Sequence, residues 1–180
     1  RNPCCLKYSS STPARKQLGF TGQARLTLWH LFAGSGRATY ARYVGMLAAA
    51  VVGHPAAVGV ELFNEPLAIE RDAMYATWRA CYDEVRKVHA TLGVGVVDTG
   101  QAALRLFDFG LSLDTRNWLR EGTHLFYAFH YYTLPRYPRD AVRNAVEIGE
   151  MWGVPVVLTE FMDCDAYAHA EDANISWAYW

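Results

Sequence analysis

From about residue 39 onward, apolar residues recur with two alternating periods, one helical and one strand-like. Tyr40, Tyr43, Val44, Leu47 and Val51 fall on one helical stripe, which predicts a helix over Tyr40 to Val52 closed by Gly53 and Pro55. A strand over Val58 to Phe63 follows. Met74, Trp78, Cys81, Val85, Val88 and Leu92 then repeat at steps of 4, 3, 4, 3 and 4, the clearest helical stripe in the chain, with Gly93 where a C-terminal cap belongs. Beyond it the pattern predicts strands over Val94 to Thr99 and Leu125 to His130, a helix over Asp140 to Trp152 stopped by Gly153, and strands over Val154 to Thr159 and Ile175 to Trp180. Residues 1–38 carry neither period and include a Ser/Thr/Pro patch from Ser9 to Pro13. They read as loop or linker ahead of one α/β unit over 39–180.

The strands are continuous apolar runs, such as Val154-Pro155-Val156-Val157-Leu158, and not alternations of apolar and polar residues. Such runs belong to parallel sheets covered by helices on both sides. The predicted strand ends at Glu65, Gly100, His130 and Glu160 are spaced by 35, 30 and 30 residues, and Trp180 follows 20 later. One βαβ repeat takes about 30 residues, and eight of them close a (β/α)8 barrel of about 250. Five strands leave two architectures: an open α/β sheet of five or six strands, or the C-terminal part of a barrel.

Composition narrows the partners. With 17 basic and 18 acidic side chains, the net charge is −1, so no broad positive field exists to attract nucleic acid or anionic lipid. The longest uncharged run, Val44 to Val60, is interrupted by Gly45, Gly53, His54 and Pro55, which suits a helix, a turn and a strand better than a membrane span. Cys4, Cys5, Cys81 and Cys164 have no metal-ligand or disulfide-framework spacing. Residue 1 is Arg and no basic-then-apolar leader follows, so the expectation is a removed targeting segment or a start inside a longer protein.

Four short motifs sit at the C-terminal ends of predicted strands, where barrel active sites are built. They are Asn64-Glu65-Pro66, Phe129-His130-Tyr131-Tyr132, Leu158-Thr159-Glu160-Phe161 and Trp177-Ala178-Tyr179-Trp180. Glu65 and Glu160 thus lie 95 residues apart in sequence but on one barrel face. Retaining glycoside hydrolysis needs two such carboxyl groups about 5–5.5 Å apart, one a nucleophile and the other an acid/base. Asn64 suits a hydrogen bond to the sugar 2-hydroxyl, His130 and Tyr132 suit orienting the carboxylates, and Trp180 offers a flat apolar face for a sugar ring. Glu61 shares strand parity with Glu65 and reads as a buried polar support. Trp177 and Tyr179 read as structural, and Asp163 and Asp165 as helix-cap or loop acids rather than metal ligands. His54, His89, His124 and His169 lack ligand spacing and read as turn or surface residues.

Together these motifs resemble glycoside hydrolase family 5, the cellulase-type retaining (β/α)8 glycosidases, over about residues 28 to 180. The resemblance implies that Glu65, in Asn64-Glu65-Pro66 at the end of strand 4, is the acid/base. It further implies that His130 and Tyr132 end strand 6, that Glu160 ending strand 7 is the nucleophile, and that Trp180 on strand 8 lines the sugar site. Ile175 to Trp180 and Thr27 to Gly36 are similar to the endoglycoceramidase-like branch. The family's Arg ending strand 2 and His ending strand 3 have no equivalent; His30 falls in the loop after strand 3. The segment between Glu160 and Ile175 is short for a full helix with its loops. The expected fold is therefore an incomplete (β/α)8 TIM barrel with strands 4 to 8 present and strands 1 to 3 missing. The expected function is hydrolysis of β-glucosidic bonds in a glucan or glycolipid by double displacement, with no cofactor and no metal. The competing expectation is a catalytically inactive truncated barrel that at most binds carbohydrate or assembles with another chain.

Overall fold

Helices and strands alternate from residue 36 to residue 177, and the strands assemble in sequence order into one parallel sheet. The computed structural model describes residues 30–32, 34–66, 71–97, 111–131, 138–161 and 164–178. The elements are α1 (Gly36–Ala50), β1 (Gly59–Glu61), α2 (Arg71–Val88), β2 (Gly93–Val97) and α3 (Leu113–Glu121), followed by β3 (Leu125–Tyr131), α4 (Pro138–Trp152), β4 (Val156–Phe161), α5 (Cys164–Asp172) and β5 (Ser176–Trp177). All neighbouring strands pair in parallel. This is the repeated βα architecture of part of a barrel. Among the described residues no helix is long and apolar enough to cross a membrane.

The core lies between the sheet and its helices. Trp78, Cys81 and Val85 of α2 are fully buried, and the Trp78 indole N–H donates to the Val97 carbonyl at 2.9 Å, tying α2 to the end of β2. Trp152 of α4 packs edge-on against Tyr75 and Tyr127. Cys81 is a free thiol that burial, aided by the charge of Glu84, pushes up to about 12, so it is a small apolar filler at neutral pH.

Several expectations change. The buried stripe of α1 is Ala41, Val44, Gly45 and Ala48, while Tyr43 and Leu47 are exposed. Small residues face α2 because the helices approach closely: a Cβ on Gly45 would sit 3.1 Å from that of Glu84. Gly93 does not cap α2. It opens β2, where a Cβ would meet the Val58 carbonyl oxygen at 2.8 Å, and Leu92 is buried beyond the helix end. The segment after Glu160 does hold a helix, α5, of 9 residues. So does the stretch before β3, where the Ser112 hydroxyl accepts the Thr115 N–H at 3.3 Å as the N-cap of α3. The last strand is two residues long.

Candidate functional site

Three strand ends build the site. Register pairs Glu61 with Gly95 and Gly95 with Phe126, so these residues share the inner face of the sheet, opposite the side on which Tyr127 meets Trp152. One further bond, from the Leu62 N–H to the Gly95 carbonyl, carries the chain past β1. The Tyr40 hydroxyl from α1 donates to the Leu62 carbonyl, and the Phe63 ring lies among those of Phe32, Tyr40 and Trp78, with centroids 5.5 to 5.9 Å away. This anchored segment leads into exposed Asn64 and Glu65, before buried Pro66. Glu65 has φ of +44°, a left-handed conformation that costs a non-glycine residue about 1–3 kcal/mol and concentrates at functional sites.

Glu160 reaches the same face through an irregularity. Up to Phe129↔Leu158 the β3 and β4 residues pair one to one; the next pair is His130↔Glu160, skipping Thr159. Strict alternation would put Glu160 on the side of Leu158, facing the helices. The bulge turns it to the side of His130, a re-aiming that bulges beside sites often perform.

His130 is the hub. Its Nε2 lies 2.9 Å from Glu61 Oε1, and its Nδ1 lies 2.8 Å from Glu160 Oε2 and 3.3 Å from Glu65 Oε1. One carboxylate oxygen each from Glu65 and Glu160 and one ring nitrogen all lie within 4.8 Å of one another. The imidazole is 7% exposed and Glu160 12%, against 43% for Glu65, so one carboxylate is sheltered and the other stands at the mouth. Burial alone would push the His130 pKa down. The hydrogen bond and charge of Glu61, the charge of Glu160 and the bond to Glu65 outweigh it, and the net shift is upward. These donor types are also those a divalent cation takes; here the ring nitrogen is engaged with the carboxylates themselves.

Of the residues singled out in the sequence, Glu65, His130 and Glu160 converge, and Asn64 sits exposed beside Glu65. Tyr132, Trp180, Tyr179 and Asp163 lie outside the described residues. Trp177 packs edge-on against Phe161 and Tyr167 and its indole N–H donates to Glu171, a structural placement. Asp165 is in the first turn of α5. His54 and His89 accept backbone N–H groups in turns, and His124 has φ of +57°. The direct engagement of Glu61 with His130 is what sequence reasoning missed; the shared parity of Glu61 and Glu65 pointed only to its face.

No protein-family model matches the sequence, and no curated protein matches it. Solved structures do. The chain is similar to endoglycoceramidase II from Rhodococcus sp. captured as a lactosyl-enzyme intermediate, with a TM-score of 0.73 and 18% identity over 97% of this chain and 48% of that one. The complex of that enzyme with ganglioside GM3 gives 0.70 and 19% over 88% and 43%. The catalytic domain of Thermobifida fusca endoglucanase Cel5A gives 0.62 and 16% over 81% and 51%. The chain spans about half the length of these structures. Its fold is that of part of a cellulase-type (β/α)8 barrel, as in these endoglycoceramidase and endoglucanase structures.

Proposed function

We propose that this chain carries the two catalytic carboxyl groups of a retaining β-glycosidase. The observation that supports it is the approach of Glu65 and Glu160 around His130, with facing polar atoms inside 4.8 Å. Retaining enzymes hold their carboxyl groups about 5–5.5 Å apart and inverting enzymes about 6.5–9.5 Å apart. In the first step Glu160 attacks the anomeric carbon and the glycosidic C–O bond breaks. Glu65 gives its proton to the leaving oxygen. In the second step Glu65 takes a proton from water, whose oxygen displaces Glu160 and releases the sugar with its configuration retained.

The contrast in exposure suits these roles, since the nucleophile is held by His130 while the acid/base stands at the mouth where leaving group and water exchange. Asn64, beside Glu65, is assigned to the sugar 2-hydroxyl, and Tyr132 and Trp180 to orienting the nucleophile and stacking the sugar. The substrate class is a β-linked glucan or the glycan of a glycolipid. The lactosyl-enzyme and ganglioside complexes of the Rhodococcus enzyme support the glycolipid glycan. The reaction consumes only water and requires no cofactor.

Replacing Glu160 by Ala in the full-length protein is expected to remove hydrolysis of an aryl β-glucoside by several orders of magnitude. Azide should then restore turnover and yield the glycosyl azide of inverted configuration, because a small anion fills the space of the lost carboxylate. Ordinary activity in Glu160→Ala would refute the proposal.

A further inference from the structure

Glu61 is the last residue of β1 and lies outside the pair of carboxyl groups assigned to bond breaking. Its side chain nevertheless makes the 2.9 Å contact to Nε2 of His130, while Nδ1 on the other side of the same ring meets Glu160 at 2.8 Å. A neutral imidazole has one N–H and one lone pair. With a carboxylate against each nitrogen, the neutral ring would turn its lone pair onto an oxygen lone pair on one side. Two N–H donors satisfy both contacts at once.

The space for this contact is built into the neighbouring strand. Gly95 stands beside Glu61 in register, so no side chain intervenes at that position of β2. Among the described residues, the charged groups that face the ring are Glu61 from β1, Glu65 from the loop after it and Glu160 from β4. β2 presents Gly95 and Val97 on this side, and β3 itself presents Phe126 and Ala128.

We propose that Glu61 is a positioning residue acting through His130: it holds the ring with an N–H on each nitrogen, so that Nδ1–H is donated to Glu160 and one oxygen of that carboxylate is fixed while the other faces the substrate. This rests on the assignment of Glu160 as nucleophile and extends the machinery by one residue behind it. The ring so held places a positive charge against the sheltered carboxylate of Glu160, and the charges of Glu61 and Glu160 in turn shift His130 upward, toward protonation. Without Glu61 the proton on Nε2 loses its partner; the neutral ring keeps its single N–H on Nδ1, against Glu160, and no longer places a positive charge beside the nucleophile.

The test is Glu61→Gln in the full-length protein, with Glu61→Asp beside it to keep the charge. In Glu61→Gln, kcat is expected to fall by about one to two orders of magnitude with KM little changed, as when other histidines lose an orienting carboxylate. The acid limb of the kcat profile should move to higher pH by about one unit, the effect of losing a cation beside the nucleophile. Glu61→Asp should recover part of both effects. Nitrogen-15 spectra of labelled histidine give an independent reading that needs no turnover: in the wild type His130 should carry protons on both nitrogens at neutral pH, and in Glu61→Gln it should titrate lower.

A purely structural role would lower activity equally at every pH and leave the limb in place, which would overturn the inference. A neutral His130 in the wild type at pH 7 would overturn it without any variant. Retained activity in Glu160→Ala overturns the assignment of the nucleophile instead, and is thereby told apart from failure of Glu61 to act.

Discussion

One imidazole in contact with three carboxyl groups links the charge of the site to the proton that the ring holds. The folded-state pKa of His130 lies above its ordinary value, about 6.5 in an unfolded chain. Its protonation therefore stabilises the fold fully below about pH 6.5, and this contribution is lost as pH rises through the raised folded value. The expected outcome is a wild-type melting temperature that falls across that window more than the melting temperature of His130→Phe, which has no proton to lose. Thermal unfolding of both proteins at half-unit intervals from pH 6 to pH 9 checks it. A constant gap between the two curves would remove the imidazolium from the account. The neighbouring Glu65 adds a different kind of strain, since its left-handed backbone directs the side chain to the mouth and is held there by Pro66 and the packing around Phe63.

Strand glycines decide what lies beneath this cluster. A Cβ on Gly95 would sit 2.6 and 2.7 Å from atoms of the Phe126 ring, and Gly59 and Gly93 lie under the same ring. Gly95→Ala is expected to destabilise the fold by about 1–3 kcal/mol, the usual cost of overpacking. In the Phe126→Ala background, where the ring is gone, most of that cost should vanish, a coupling that urea unfolding of the four proteins of a double-mutant cycle measures directly. The βα repeat and the strand ends of Glu65, His130 and Glu160 were readable from the sequence because apolar runs and chain-terminating residues fix them locally. The orientation of Glu160 was not. Alternation along β4 sends that side chain toward the helices, and only the bulge, which arises from pairing with β3, brings it round. Helix α1 was read in part: Val44 is buried and Tyr40 and Val51 pack against the core as the stripe suggested, but Tyr43 and Leu47 are exposed, because the close approach of α2 selects the face with Ala41, Gly45 and Ala48. The nine-residue helices α3 and α5 escaped notice because each is too short to show a long apolar stripe; α3 is mostly polar and marked by its Ser112 cap, and the apolar residues of α5 are chiefly alanines.

Among the described residues the sheet of five parallel strands ends at β1 and β5 with no further strand paired to either, and the surface beside β1 is apolar. Val58, just ahead of β1, is 85% exposed, and on α1 Tyr43, Met46 and Leu47 are exposed as well. A closed barrel has no such edge, whereas an open one offers unpaired backbone groups to any second strand. The same edges motivate the competing reading in which the 180-residue chain by itself is catalytically silent. Both consequences can be examined together. The isolated chain is expected to associate as its concentration rises, by sedimentation velocity, and Val58→Lys should reduce that association because a charge at the edge disfavours pairing with another strand. Aryl β-glucoside hydrolysis measured on the same samples then separates two cases. If the monomeric Val58→Lys chain turns over substrate with a profile that depends on Glu65 and Glu160, the five strands suffice for chemistry and the silent reading fails. If it is folded, monomeric and inert, the carboxylate pair acts only when a closed barrel surrounds it, because further walls would shelter the sugar and exclude bulk water from Glu160.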